Sequence, residues 1–226
     1  MNIGIILTPD ERSKAYLCKI ISNQIQINEV LFMNDGSNQK FSEEVVNKAK
    51  ENGFDISKSV KEMLDLNEIK YHEFDHVDIN SDVLFNYLKS SELDYVIFTG
   101  GGILKDRILS IKSKFIHFHP GITPFYRGST CFYYSILNEG KCGVTAFIMD
   151  KKLDTGPIIL QKEFDKPDHE FIDSVYDPYI RSETLVELFS KNISEINYIQ
   201  NNSSEGESYY IIHPVLKHIA ILNCLK

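Results

Sequence analysis

Short apolar runs alternate with segments of helical spacing through the first half of the chain, and this alternation constrains the fold most. The apolar runs cover residues 3–7, 30–33, 95–98 and 114–118. Runs of this kind are typical of strands buried on both faces of a parallel sheet. The helical segments between them cover residues 13–25, 41–52, 60–67, 81–90 and 103–111. The alternation predicts an α/β fold with a doubly wound, mostly parallel sheet of the Rossmann type.

The second half has a different pattern. It predicts helices over residues 131–140 and 185–202 and strands over residues 144–149 and 158–164. Residues 209–212 and 218–222 are interpreted as a terminal hairpin or as two edge strands.

Composition excludes several classes of protein. The net charge of −8 argues against a broad electrostatic grip on nucleic acid. No apolar run approaches the length of about 18 residues that a membrane-spanning helix requires. The N-terminus lacks the pattern of a signal peptide, and the four cysteines have no CxxC spacing. We therefore expect a cytoplasmic protein with reduced thiols and no membrane partner.

The strongest candidate for chemistry is the pair His117 and His119. Residues two apart on a strand share one face, and Pro120-Gly121 ends this strand. Open α/β sheets place their ligands at the carboxyl ends of strands. The pair could bind a metal with Asp154 as a third ligand, or it could donate hydrogen bonds and a proton to a reacting carbonyl. The spacing alone leaves both hypotheses open.

Two motifs downstream of this pair are informative together. The loop Pro124-Phe125-Tyr126-Arg127-Gly128 follows it, and Leu153-Asp154-Thr155-Gly156 comes later. In combination the motifs resemble the formyltransferase family that uses 10-formyltetrahydrofolate, most closely its sugar nucleotide N-formyltransferases. The resemblance is clearest from about residue 95 to residue 164.

The resemblance implies roles for individual residues. His119 matches the catalytic histidine of the family, and Asp154 matches its catalytic aspartate. His117 occupies the position of a catalytic asparagine, which is a departure from the family pattern. The resemblance also implies that folate lies near Gly102-Ile103-Leu104 and near the loop that begins with Met149-Asp150, with no metal. It further implies a catalytic core over residues 1–165, a C-terminal extension of a helix and short strands over residues 166–226, and a homodimer.

The resemblance leaves three acceptors to weigh. Enzymes that act on methionyl-tRNA carry a further C-terminal domain, whereas about 60 residues follow Phe164 here. Glycinamide ribonucleotide enzymes hold a phosphate in a glycine-rich loop after the first strand, whereas residues 8–13 contain no glycine and two acids. We therefore expect a sugar nucleotide, with a UDP-linked 4-amino-4,6-dideoxy sugar favoured.

Aromatic and arginine side chains suit such an acceptor, because rings stack on bases and sugars and guanidinium groups bind diphosphate oxygens. The candidate substrate-binding residues are Arg12, Phe125, Tyr126, Arg127 and Tyr133. Two other functions stay open. One is a metal-dependent hydrolase or deformylase built on His117, His119 and Asp154, and the other is a catalytically altered relative that binds a sugar nucleotide.

Overall fold

The structure is a computed structural model that describes residues 1–76, 78–191, 197–202 and 204–226. The chain divides into two compact units, Met1–His117 and Phe118–Lys226. This division does not test the predicted boundary between a core and an extension at residue 165. No helix among the described residues has both the length and the apolar character needed to cross a membrane.

The first unit is built on five parallel strands in the spatial order β3-β2-β1-β4-β5. The strands are β1 (Ile3–Leu7), β2 (Glu29–Met33), β3 (His72–Phe74), β4 (Tyr95–Phe98) and β5 (Lys114–His119), whose last two residues belong to the second unit. The helices are α1 (Glu11–Ser22), α2 (Glu43–Glu51), α3 (Val60–Leu66), α4 (Asp82–Ser90) and α5 (Asp106–Leu109). Every residue of β1 is buried, as expected for the central strand of a sheet covered on both faces.

Side chains fix the carboxyl ends of β1 and β4 relative to α1. Asp10 caps α1 by accepting from the backbone N–H of Ser13 at 2.8 Å. The buried Ser13 hydroxyl accepts from the Thr8 N–H and lies 3.1 Å from the Thr99 hydroxyl, which donates to the carbonyl of Ile6. This network holds the edge of the sheet at which parallel α/β folds place ligands.

In the second unit, the sheet runs from the end of β5 through β7 (Lys141–Ile148) to β8 (Ile158–Asp165). Strands β7 and β8 are antiparallel, with an irregularity in register at Ala146/Phe147. Two short strands, β6 (Tyr126–Gly128) and β9 (Glu207–Tyr209), pair in parallel. The helices are α6 (Cys131–Glu139), a π-helical turn (Ile172–Tyr176), α7 (Asp177–Ser190) and α8 (Pro214–Cys224).

The predicted α/β class and mostly parallel sheet are confirmed, while three local predictions are wrong. The helix expected over residues 103–111 is only the single turn α5, because the three glycines 100–102 all have positive φ and lead into an extended approach. The helix expected over residues 185–202 is α7, which begins at Asp177 and ends at Ser190. Its first half was missed because its buried face includes the charged residues Asp177 and Arg181.

Part of the predicted 185–202 helix, residues 192–196, lies outside the described residues. Ile199, beyond it, instead forms an antiparallel bridge with Ile158.

The predicted C-terminal hairpin or edge strands are also wrong. Residues 218–222 belong to α8, which begins at Pro214 and is capped by the His213 side chain. A short apolar run such as this one has the periodicity of either a strand or a helix. Only Tyr209 of residues 209–212 lies in a strand, and that strand pairs with β6.

Candidate active site

His119 ends β5 with its side chain enclosed by the loop that follows. It is 2% exposed, and its Nε2 lies 2.9 Å from the carbonyl oxygen of Tyr126. A carbonyl only accepts, so Nε2 carries a proton and donates it there. The other ring nitrogen, Nδ1, lies 3.5 Å from Oδ2 of Asp154. The structure therefore brings together two of the three predicted catalytic residues within the second unit.

Asp154 reaches this position through an unusual backbone conformation. Its φ is +52°, in the left-handed region that L-residues adopt rarely and that aspartate tolerates better than most. Its Oδ2 accepts from the backbone N–H of Gly128 at 2.7 Å, which ties the Leu-Asp-Thr-Gly loop to the Pro-Phe-Tyr-Arg-Gly loop. A Cβ at Gly156 would lie 1.7 Å from the Ile148 carbonyl oxygen, so the second motif requires glycine there. The two sequence motifs are thus parts of one hydrogen-bonded arrangement.

Burial sets the charge of His119. Desolvation lowers the pKa of its imidazole, the Asp154 carboxylate raises it, and the Arg181 guanidinium lowers it, with a net pKa below the ordinary value. Arg181 is itself buried, and it donates to the carbonyl of Phe118 at 2.6 Å and to Asp177 at 2.7 Å. The imidazole is therefore neutral near neutral pH, and Asp154 stabilises any proton that it gains.

Polar side chains of β7 and β8, the buried Thr145 and the exposed Gln161, hold the loop after His119. The Thr145 hydroxyl donates to the Gly121 carbonyl at 2.7 Å and accepts from the Thr123 N–H at 3.0 Å. Gln161 donates to the Thr123 carbonyl at 2.6 Å. A Cβ at Gly121 would lie 2.8 Å from Nε2 of His119, so glycine is needed for the approach of His119 to Tyr126. Sequence reasoning missed Thr145 and Gln161, although a threonine within an apolar strand was an available signal.

The predicted substrate-binding residues of this unit differ in exposure. Phe125 is 54% exposed, whereas Tyr126 and Tyr133 are buried. Tyr126 stacks on Tyr209 and donates to Glu139, and Tyr133 packs against Phe132. Phe125 therefore presents the aromatic surface on which a ring could stack.

Two further groups of predicted residues belong to this unit, Arg127 in β6 and Met149 with Asp150 directly after β7. Arg127 is 9% exposed and donates from Nε to the carbonyl of Pro124 at 3.2 Å. Met149 is half-buried, and the exposed Asp150 accepts from the Thr155 hydroxyl at 2.9 Å. Asp150 thus stabilises the turn that leads to Asp154.

The first unit holds the remaining predicted residues. Its glycine run has φ angles of 153°, 104° and 122° at Gly100, Gly101 and Gly102. A Cβ at Gly100 would lie 3.4 Å from the guanidinium carbon of Arg12, which also pairs with Asp10 at 3.7 Å. The predicted phosphate-binding arginine therefore lies beside Gly100, two residues before the first predicted folate residue, Gly102. Within that loop, Ile103 is 79% exposed and Leu104 is buried.

His117, at the family's asparagine position, is half-buried on β5. Its Nδ1 lies 3.2 Å from the carbonyl oxygen of Phe98 and so carries a proton. In the neutral ring this leaves Nε2 unprotonated, so Nε2 donates a hydrogen bond only from the imidazolium form.

The geometry bears on the metal hypothesis. Both ring nitrogens of His119 face protein oxygens, whereas a histidine ligand must point a nitrogen lone pair at the metal. Among the described ranges, no group of three or more His, Cys, Asp or Glu side chains is arranged to hold a metal ion. The arrangement suits proton transfer and hydrogen bonding to a reacting group.

Comparison with known proteins places this site in a family. The family model described as formyl transferase matches residues 20–184, which is more than half of the chain. The protein therefore belongs to the formyl transferase family, whose members are enzymes.

Individual relatives share the fold. The methionyl-tRNA formyltransferase of Thermodesulfovibrio yellowstonii is 33% identical over 118 residues, which are 50% of this chain and 38% of that protein. An N-formyltransferase from Helicobacter canadensis, solved with folinic acid and dTDP-3-aminofucose, superposes with a TM-score of 0.66 at 17% identity, covering 100% of this chain and 81% of that one. A 4-N formyltransferase from Francisella tularensis superposes with a TM-score of 0.61 at 18% identity, covering 99% of this chain and 87% of that one. The chain thus matches most of the length of these structures but well under half of the curated relative.

Proposed function

We propose that the protein transfers a formyl group from 10-formyltetrahydrofolate to the amino group of a nucleotide-linked amino-dideoxy sugar. The observation that carries the proposal is the buried His119–Asp154 pair, with the Asp154 carboxylate fixed by the Gly128 N–H, in a chain of the formyl transferase family. Proton transfer and oxyanion stabilisation are what an acyl transfer between two nitrogens requires.

The reaction forms one bond and breaks another. The amine nitrogen attacks the formyl carbon, the carbonyl oxygen becomes an oxyanion, and the bond from that carbon to the folate nitrogen then breaks. The amine loses a proton, and the departing folate nitrogen gains one.

In our proposal, Asp154 orients His119, receives the amine proton and shares it with Nδ1 of His119. The resulting imidazolium donates from Nε2 to the oxyanion and then gives a proton to the departing folate nitrogen. The His119 N–H is held by the Tyr126 carbonyl in this structure, so donation requires that bond to be exchanged for one to substrate. His117 contributes a further hydrogen bond from the same strand in its imidazolium form, in which Nε2 also carries a proton.

Local features support a sugar nucleotide as the acceptor. The β1–α1 turn carries Asp10 and Glu11 and no glycine, which is a poor cradle for a terminal phosphate. Phe125 offers an exposed ring, and Arg12 is the cation that we assign to the diphosphate. A UDP-linked 4-amino-4,6-dideoxy sugar is the acceptor that we propose. The Helicobacter canadensis structure contains a dTDP-linked 3-amino sugar, so base and position are both variables of the test.

Folate and assembly complete the proposal. We assign the folate ring to Gly102, Ile103 and Leu104 together with Met149 and Asp150. Ile103 of the first unit is exposed and Met149 of the second is half-buried, so each has apolar surface of its own against which a flat ring can pack. We also propose a homodimer.

An acceptor panel tests the function. Purified protein is incubated with 10-formyltetrahydrofolate and UDP- or dTDP-linked sugars that carry the amine at C3 or C4, with methionyl-tRNA and glycinamide ribonucleotide as competing acceptors. We expect one amino-sugar nucleotide to gain a formyl group, as detected by mass spectrometry, and His119→Ala to abolish the gain. Formylation of tRNA or the ribonucleotide alone would contradict the proposal.

The departure at His117 favours one second candidate, a catalytically altered relative that binds a sugar nucleotide without formylating it. Calorimetry with the same panel separates the two functions. Tight binding of a sugar nucleotide without any formylated product would favour the second.

A further inference from the structure

A segment far along the chain from the family motifs contacts the Leu-Asp-Thr-Gly loop, which we call the catalytic loop because it carries Asp154. Residues 197–202 follow α7, and within them Ile199 exchanges two backbone hydrogen bonds with Ile158, at 2.8 and 2.9 Å. This bridge brings Asn201 next to the Leu-Asp-Thr-Gly loop. Asn201 is 8% exposed, and its Nδ2 donates to the carbonyls of Asp154 at 3.0 Å and Gly156 at 3.3 Å.

The two hydrogen bonds from Asn201 act where the loop backbone has its least favourable conformation, at Asp154. Asp154 has a φ of +52°, a conformation that persists only when surrounding contacts specify it. The Gly128 N–H fixes the carboxylate of Asp154, and the Asn201 amide fixes the backbone on both sides of Thr155. Together they hold Oδ2 of Asp154 at 3.5 Å from Nδ1 of His119.

The rest of the Asn201 side chain argues against a simple packing role. Its Oδ1 is buried and has no hydrogen-bond partner among the residues that the structure describes. Burying an unpaired acceptor is unfavourable, and an apolar side chain would fill this space without that penalty. What the asparagine provides at this position is therefore its N–H donation to the catalytic loop.

We propose that Asn201 is a positioning residue for the reaction. It holds the Asp154 backbone so that the carboxylate faces His119 and receives the amine proton. This role rests on the proposed function. Asn201 does not touch the reacting atoms in this account. Its loss should lower kcat and leave the KM values for donor and acceptor nearly unchanged, because small misplacements of a catalytic group slow chemistry more than binding.

Three variants separate positioning from packing. Asn201→Asp keeps the shape of the side chain and removes the N–H donors. Asn201→Ala removes the donors and most of the side chain. Asn202→Ala is the matched control, because Asn202 is exposed and its side-chain hydrogen bonds to described residues, Glu205 and Ser204, stay within its own turn. We expect kcat to fall about 10- to 100-fold in both Asn201 variants and to change less than twofold in the control.

A second readout does not depend on the acceptor. The Gly128 amide proton bonds to the Asp154 carboxylate at 2.7 Å, so its NMR shift reports whether that carboxylate stays in place. We expect an upfield move in both Asn201 variants and none in Asn202→Ala. If the alanine variant does not fold, Asn201→Ser, which retains one donor, replaces it and should give an intermediate effect.

The outcomes are distinguishable. A parental kcat together with an unmoved Gly128 signal in Asn201→Asp would overturn the positioning role. If the parent protein formylates no acceptor, the proposed function fails, and the Gly128 signal alone then decides whether Asn201 holds Asp154.

Discussion

Replacing Asp154 by asparagine removes the carboxylate that faces His119 while retaining the local structure. Asparagine tolerates the left-handed φ of +52°. Its Oδ1 can accept the Gly128 N–H in place of the carboxylate. We therefore expect the variant to fold with a melting temperature close to that of the parent.

The catalytic cost follows from the distance. At 3.5 Å from Oδ2 of Asp154 to Nδ1 of His119, Coulomb's law gives about 5 kcal/mol at an effective dielectric constant of about 20. Each 1.4 kcal/mol or so corresponds to a tenfold change in rate, so losing the stabilised imidazolium lowers kcat by up to about 10³- to 10⁴-fold. The side chains of both residues are nearly buried, so solvent screens this interaction little.

The assay is formyl transfer measured at saturating donor and acceptor. Glu163→Gln is the matched control, since it removes the same charge from a side chain that is 69% exposed on β8. We expect the control to retain parental kcat. A kcat for Asp154→Asn within threefold of the parent would refute the assignment of Asp154 to the proton relay.

Three further predictions concern stability and the altered family position. Burial lowers the pKa of His119 below its ordinary 6.5. As the pH falls below 6.5, this histidine is therefore protonated in the unfolded chain before it is protonated in the folded chain, which favours unfolding. Parental stability to urea should therefore decline below about pH 6.5, and it should decline less steeply in His119→Gln; parallel curves would contradict this. Gly128→Ala would place a Cβ 2.1 Å from the Tyr209 carbonyl at a φ of +103°, so urea unfolding should show a loss of about 2–4 kcal/mol, and a loss below about 0.5 kcal/mol would argue against it. His117→Asn restores the amide of the family, so its kcat should equal or exceed that of the parent, whereas His117→Ala should lose about 10²-fold; an asparagine variant slower than the alanine variant would be inconsistent with this role.

The sequence predicted those parts of the molecule that depend on local pattern. Buried parallel strands such as Tyr95–Phe98 appear as continuous apolar runs, because both of their faces are covered. The pairing of His119 with Asp154 was expected from the two motifs in combination, and the structure shows the contact at 3.5 Å. These features were accessible because each motif lies within one loop or strand end.

Features that arise from long-range packing were not accessible. Arg181 donates to the carbonyl of Phe118, 63 residues earlier in the chain, and Asn201 donates to that of Asp154, 47 residues earlier. Neither residue lies in a motif or a periodic pattern that signals its partner. The buried charges of α7 also masked its helical periodicity, and the apolar run of α8 suited a strand equally well.

Transfer of an isotopically labelled formyl carbon tests the central claim most directly. The donor is 10-formyltetrahydrofolate labelled at the formyl carbon, and the acceptor is the amino-sugar nucleotide that responds in the panel. NMR should show the label in a new amide on the sugar nitrogen for the parent protein, and none for His119→Ala. Label that remains on folate, or that appears as free formate while the sugar amine stays unmodified, would contradict the account.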